Sequence, residues 1–160
     1  MKFEHLIEVN DPLNPLMDTL SVDQLWKGLV LRAESPKLFV PHLDECVIEE
    51  KGEHSFRRRL RYGKLVIEDR VVLQPMRVVT YEVAPQDEIP ASSLTMTIES
   101  PNPGALWVRF RYEDSNDAAT DEANKMYDEF RRSAYQESDI DTIHIIRELA
   151  AEGRLGATLN

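Results

Sequence analysis

Cysteine is almost missing from this chain. Cys46 is the only one in 160 residues, which excludes an internal disulfide and any Cys-x-x-Cys redox or zinc pair. No apolar run approaches the roughly 20 residues that a helix needs to cross a bilayer, so no membrane role is expected. Positive charge is in deficit: 19 Lys and Arg face 29 Asp and Glu, a net charge of −10. Phosphate binding depends on concentrated positive potential, so nucleic acid is not an expected partner. His5, His42, His54 and His144 are dispersed without metal-ligand spacing. There is no Gly-x-Ser-x-Gly elbow, phosphate loop or dinucleotide fingerprint. Neither a metal nor another cofactor is expected. The opening "MKFEHLIEVN" alternates polar and apolar residues and carries acids early, unlike an export signal, and this makes the cytoplasm the expected compartment.

What remains is 42% hydrophobic and 30% charged, an ordinary globular composition. Its length favours one domain with one core, spanning residues 1–160. Phe3 to Val9 read as a strand, and Pro12 and Pro15 then interrupt regular structure. Ser21 and Gln24 form a capping box, and Leu25, Trp26, Leu29, Val30 and Ala33 follow at helical spacing. Pro36 ends that helix, and "PKLFVPHL" reads as a second short one closed by Pro41. From Cys46 the pattern changes to six strand-like runs: "CVIEEK", "SFRRRLRY", "KLVIEDRVVL", "MRVVTYEV", "SSLTMTIES" and "ALWVRFRYED". Most intervening turns are short, so consecutive strands pair as antiparallel hairpins. After Asp114 no Pro or Gly appears until Gly153, and the segment reads as one long helix. Asp117 or Thr120 would cap it, and Asp121 and Glu122 suit the positive end of its dipole. Tyr127, Phe130, Ala134, Ser138, Asp141, Ile145 and Leu149 trace a stripe at helical spacing, expected to face the sheet.

The expected class is therefore α+β. A seven-stranded curved antiparallel sheet wraps the long C-terminal helix, with two short helices after the first strand. Seven strands are too many for one flat, uncovered sheet, and a trough closed over a cylinder tends to leave a cavity.

The basic run "FRRRLR" tests this picture. Strand side chains alternate faces. With the hairpin turn at Gly63–Lys64, Tyr62 stands opposite Leu65. Phe56, Arg58, Leu60 and Tyr62 then share the inner face with Leu65, Ile67, Asp69, Val71 and Leu73. Arg57, Arg59 and Arg61 fall on the solvated face with Val66, Glu68, Arg70 and Val72. Arg58 is the one cation among apolar neighbours, and a buried guanidinium needs a partner. Asp69 lies opposite it in this register; a one-residue bulge would bring Glu68 there instead. Two readings stand: a structural ion pair, or a fork that holds a ligand's carboxylate or carbonyl.

The element order resembles the helix-grip fold of the START-like, or SRPBCC, superfamily, to which the birch-pollen allergen and polyketide aromatase/cyclase domains also belong. Within it, "MTIESPNPGALWVRFRYE" followed by "AYQESDIDTIHIIREL" resembles the AtaL-like family, named for a protein of the acetylaranotin biosynthesis cluster. The resemblance covers nearly the whole chain. The family's third-strand Arg falls on Arg58, its following acid on Glu68, and its helix pattern on Tyr135, Asp139, Thr142 and Arg147. Many members carry an acid directly after that Arg, where this chain has Arg59. The resemblance implies the fold. It also implies binding of hydrophobic or amphipathic small molecules between sheet and helix, on which some members catalyse.

These readings give one set of candidate ligand-binding residues: Arg58, Glu68, Asp69, Tyr62, Leu60, Phe56, Tyr127, Phe130, Tyr135, Asp141 and Arg147. The first function they suggest is binding of a small amphipathic ligand in a cavity. The second is a cyclase, dehydratase or isomerase that uses a buried carboxylate beside Arg58, because enclosure raises a carboxyl pKa and lets it move protons. The third is an interaction protein with a filled interior. The expected partner is a small molecule, and a homodimer is compatible with the sequence. Cys46, at a strand start, reads as a small core residue rather than a reactive thiolate.

Overall fold

The computed structural model describes residues 1–87, 89–115 and 122–155. Strand β1 (Lys2–Asn10) leads into helix α1 (Val22–Glu34) and a single 3-10 turn at Pro36–Leu38. Six strands follow: β2 (Glu45–Glu49), β3 (Ser55–Tyr62), β4 (Leu65–Gln74), β5 (Val78–Val83), β6 (Ser92–Glu99) and β7 (Leu106–Asp114). Helix α2 (Glu122–Ala151) closes the order. The caps expected at Asp117 or Thr120, with Asp121, lie outside the described residues.

All seven strands form one antiparallel sheet in the order β1-β7-β6-β5-β4-β3-β2. Consecutive hairpins build β2 to β7, and β1 joins β7 to extend the far edge. The curved sheet holds α2 in its concave face, as the sequence pattern leads one to expect. The capping box of α1 is present with both bonds: Gln24 N donates to Ser21 Oγ at 3.0 Å, and Ser21 N to Gln24 Oε1 at 2.9 Å. Two of the four orphan donors at the helix start are thereby satisfied.

The β3–β4 register is the one expected from the turn. Gly63 adopts φ +62° at the first turn position, a conformation glycine takes without steric cost. Tyr62 then pairs with Leu65, and Arg58 falls opposite Asp69. Phe56, Arg58, Leu60, Asp69 and Val71 are buried, whereas Arg57, Arg59, Glu68 and Arg70 are exposed. Leu65 departs from the pattern because it borders the turn, where the sheet no longer covers it; it is half-exposed. Arg57 reaches Glu50 at 2.9 Å and Arg61 reaches Glu45 at 3.4 Å, so much of the outer basic row is balanced by acids of the β2 edge.

The core joins both helices to the sheet through Leu25, Leu29, Val79, Met96, Val108, Phe110 and Ile146. Helices α1 and α2 touch closely because residue 28 is glycine: a Cβ there would stand 2.6 Å from Ile146 Cγ2. One turn further along α1, and one turn back along α2, Arg32 meets Thr142. The glycine contact thus fixes how near that arginine comes to the second helix.

Candidate functional site

A cavity of about 240 Å³ lies between the sheet, α1 and α2. Leu60, Ile67, Val83 and Leu94 form its aliphatic wall on the strands, and Pro36 and Val40 close it beyond α1. Tyr62, Tyr81, Tyr112 and Tyr135 add aromatic surface with polar tips. Arg32, Arg58 and Arg131 supply positive charge, and Asp69, Glu113 and Asp114 negative charge.

Arg58 and Asp69 form a two-pronged pair. Arg58 Nε donates to Asp69 Oδ1 at 2.9 Å and Nη2 to Oδ2 at 2.5 Å, while Nη1 donates to the Ala33 carbonyl at 3.0 Å. Both side chains are 3% exposed. The guanidinium also sits 4.2 Å from the Tyr81 ring centroid. Burial is the strongest single influence and pulls the Arg58 pKa down; the bond to Asp69 and the charges of the groups around it together outweigh it and leave Arg58 above the ordinary value. The structural ion pair is therefore real, and most of the Arg58 fork is occupied.

Arg32 is the second buried guanidinium, 7% exposed. Its Nε donates to Thr142 Oγ1 at 3.1 Å and its Nη1 to Tyr81 Oη at 3.0 Å. Both acceptors are neutral. Arg32 escapes a reading by hydrophobic periodicity because it is charged, yet its spacing gives it away: it follows Leu25 by seven and Leu29 by three, on the face that packs inward.

A third polar group joins the far edge of the sheet to α2. Asp139 is fully buried. Tyr112 Oη donates to its Oδ1 at 2.5 Å, and His5 Nε2 lies 2.6 Å from its Oδ2. Burial pushes the Asp139 carboxyl above the usual carboxylate range, against the bonds from Tyr112 and His5, which pull it down. Burial, and then the Asp139 charge beside it, raise Tyr112 well beyond an ordinary phenol. Tyr112 and Tyr135 stack at 3.9 Å between centroids, 5° from parallel. At the Met1 end, Asp114 bridges the Met1 nitrogen and Arg131, each at 2.5 Å. Tyr62, partly buried there, is raised chiefly by burial.

The structure brings Arg58, Asp69, Tyr62, Leu60 and Tyr135 together in the cavity wall. It corrects the rest of the expected set. Glu68 is on the outer face, where its backbone exchanges bonds with the Gln86 side chain at 3.0 and 2.6 Å; Asp69 is the inward acid. Arg59 is also outside, so the departure from the family's acid at that position leaves the cavity untouched. Phe56 points inward but is packed into the core rather than the cavity wall.

The expected helix stripe is rotated. Tyr127 and Phe130 are 61% and 72% exposed, and Ala134, Ser138 and Asp141 also face outward. The inward row is Arg131, Tyr135, Asp139, Thr142, Ile146 and Leu149. Its first half is polar because it faces polar partners, and this inverts the hydrophobic signal from which the stripe was read. Arg147 does not reach the cavity. It donates through Nη1 to the Asp18 carbonyl at 2.7 Å and lines a separate groove beside the β1–α1 loop. Cys46 is partly buried, and burial raises its thiol.

The arrangement is that of a START-like helix-grip protein: a curved seven-stranded sheet, a long clasped helix, and a cavity between them. Solved structures agree in fold. The chain is similar to an aromatase/cyclase, Zhui from Streptomyces sp. R1128, with TM-score 0.64 and 18% identity over 98% of this chain and 96% of that one. It is similar to norcoclaurine synthase from Thalictrum flavum, with TM-score 0.64 and 12% identity over 95% and 87% of the two chains. Human STARD10 matches with TM-score 0.63 and 8% identity, over 94% of this chain and 64% of that one. No curated protein matches in sequence. The family model described as acetylaranotin biosynthesis cluster protein L matches residues 7–153. The chain belongs to this AtaL family.

Proposed function

We propose that this protein binds a small hydrophobic or amphipathic molecule in the cavity between the sheet and α2. One observation carries the reading: space of about 240 Å³, with aliphatic and tyrosine side chains in its wall, lies beside buried arginines between the sheet and both helices. Ligand sites combine apolar walls with a few convergent polar groups in this way. The volume is below the roughly 300 Å³ at which drug-sized sites begin, so the ligand is small. The aromatase/cyclase and the synthase of similar fold lend the reading support by analogy of architecture alone. The proposal takes a free small molecule as the partner and the cytoplasm as the working compartment.

A second reading is favoured by Asp139. Its carboxyl is buried and raised, and it holds the hydroxyl of Tyr112, which borders the cavity. A ligand proton passed to Tyr112 would be matched by the Tyr112 proton moving to Asp139, the kind of step a cyclase, dehydratase or isomerase needs. Both readings share the cavity, and binding is the prior requirement.

Native mass spectrometry of the purified protein tests the binding reading. A non-covalent adduct of a few hundred daltons is expected, lost on denaturation and reduced when Leu60→Trp fills the space. A wild-type protein that carries no adduct, and whose amide spectrum is unmoved by a panel of small amphiphiles, would refute it.

A further inference from the structure

We infer that the ligand is a carboxylic acid and that Arg32, not Arg58, receives its carboxylate. The inference rests on the binding reading above and adds the ligand's charge and the residue that reads it.

Three arginines border the cavity, and their pairing differs. Arg58 is saturated on its forked edge by Asp69. Arg131 is held by Asp114 at 2.5 Å and by Asp128 at 3.5 Å. Arg32 has no carboxylate within 4.0 Å among the described residues, although it is more than nine-tenths buried. Its hydrogen bonds go to two neutral oxygens, Thr142 Oγ1 and Tyr81 Oη, and Nη2 makes none among the described residues.

Removing a cation from water without a counter-ion costs several kcal/mol, and proteins seldom retain one without use for it. The nearby acid does not fill this role. Asp139 has its oxygens engaged by Tyr112 and His5, at 2.5 and 2.6 Å. Arg32 therefore has no carboxylate bonded to it, though the Asp139 charge stands nearby, and it presents a free amino group to a cavity walled by aliphatic, tyrosine and polar side chains. A carboxylate suits a guanidinium better than any neutral acceptor, because the bonds are charge-assisted and in-plane.

The setting is preorganised. Gly28 brings α1 against Ile146 of α2, so Thr142 meets Arg32 Nε and holds the guanidinium plane. The Tyr81 ring lies 5.5 Å from Arg32 Cζ and 4.2 Å from Arg58 Cζ, within reach of both guanidinia. The rest of the ligand would lie along Leu60, Ile67 and Leu94. A compact acid fits that description, with the charge at one end.

The test uses naphthoate and its uncharged counterpart naphthamide, titrated into the full chain by calorimetry. Wild type is expected to prefer naphthoate. Arg32→Gln should lose about tenfold to a hundredfold in naphthoate affinity while naphthamide is held unchanged, and Arg32→Lys should recover part of the loss. A wild-type control needs no substitution: the labelled Arg32 side-chain resonances should shift further with naphthoate than with naphthamide. Naphthoate binding that survives Arg32→Gln, or an Arg32 resonance equally moved by both compounds, overturns the assignment and leaves the binding reading intact. A cavity that takes neither compound in wild type overturns both.

Discussion

Replacing Arg58 by Met removes the guanidinium and keeps most of its apolar volume. It leaves Asp69 with 3% of its side chain exposed and without the two bonds, at 2.9 and 2.5 Å, that satisfied its oxygens. Breaking one side of a buried pair typically costs about 3–5 kcal/mol, because the orphaned charge keeps its desolvation penalty. The lost bond to the Ala33 carbonyl and the lost contact with Tyr81 add to the same side. The double variant Arg58→Met/Asp69→Leu removes both charges. It should return to within about 1 kcal/mol of wild type or exceed it, since apolar replacements of whole buried pairs are often neutral or stabilising. Equilibrium urea unfolding measures this directly. With a slope near 2 kcal/mol per molar, the single variant should lose about 2 M in midpoint and the double variant should recover nearly all of it. The pairwise coupling then exceeds about 3 kcal/mol. A single variant within about 1 kcal/mol of wild type, or a double variant that sums the two single losses, would show that Asp69 is not a buried, paired charge.

Two further perturbations follow from the packing. Asp139 titrates above its ordinary value of 3.8, so between 3.8 and its raised value the folded chain holds a proton that the unfolded chain has released. Stability conferred by that proton is complete below 3.8 and is lost as pH rises through the raised value, with a slope of at most about 1.4 kcal/mol per pH unit. Asp139→Asn should remove this decline from urea midpoints measured across that window; identical pH profiles for variant and wild type would contradict it. Gly28→Ala gains up to about 1 kcal/mol in helix propensity but forces a Cβ to 2.6 Å from Ile146. Overpacking of that kind costs about 1–3 kcal/mol. A net loss of up to about 2 kcal/mol is expected, read as a lower midpoint in thermal unfolding, and it should vanish in an Ile146→Ala background, which removes the Cγ atoms that the new Cβ would meet. A stabilised Gly28→Ala would mean the helices are not in that contact.

How much could be read in advance differed by element. The strands of β2 to β7 were legible because short turns separate runs of β-branched and aromatic residues, and the Gly63 turn set the β3–β4 register. From that register Arg58 could be placed inside and its neighbours outside, but a one-residue bulge would have exchanged Asp69 for Glu68, and the structure decided for Asp69. The long helix was legible as a helix but not in its rotation. Met126, Tyr127 and Phe130 suggest an apolar face, yet they are exposed, whereas the row beginning Arg131, Tyr135 and Asp139 is turned inward. Of the family pattern Tyr135, Asp139, Thr142 and Arg147, the first three lie on the inner face, where the periodic stripe missed them, and Arg147 lies off it.

Local patterning in the sequence, then, determined what is decided between near neighbours: hairpin order, strand faces and the Ser21 cap. The tertiary structure alone decided which polar groups meet over long separations. Asp139 finds Tyr112 and His5 across the sheet edge, and Arg32 finds Thr142 and Tyr81 rather than an acid. The reason is physical. Hydrophobic periodicity records which residues leave water, but a buried polar group is stable only if partners converge on it, and their convergence depends on how two helices and a curved sheet come together in space.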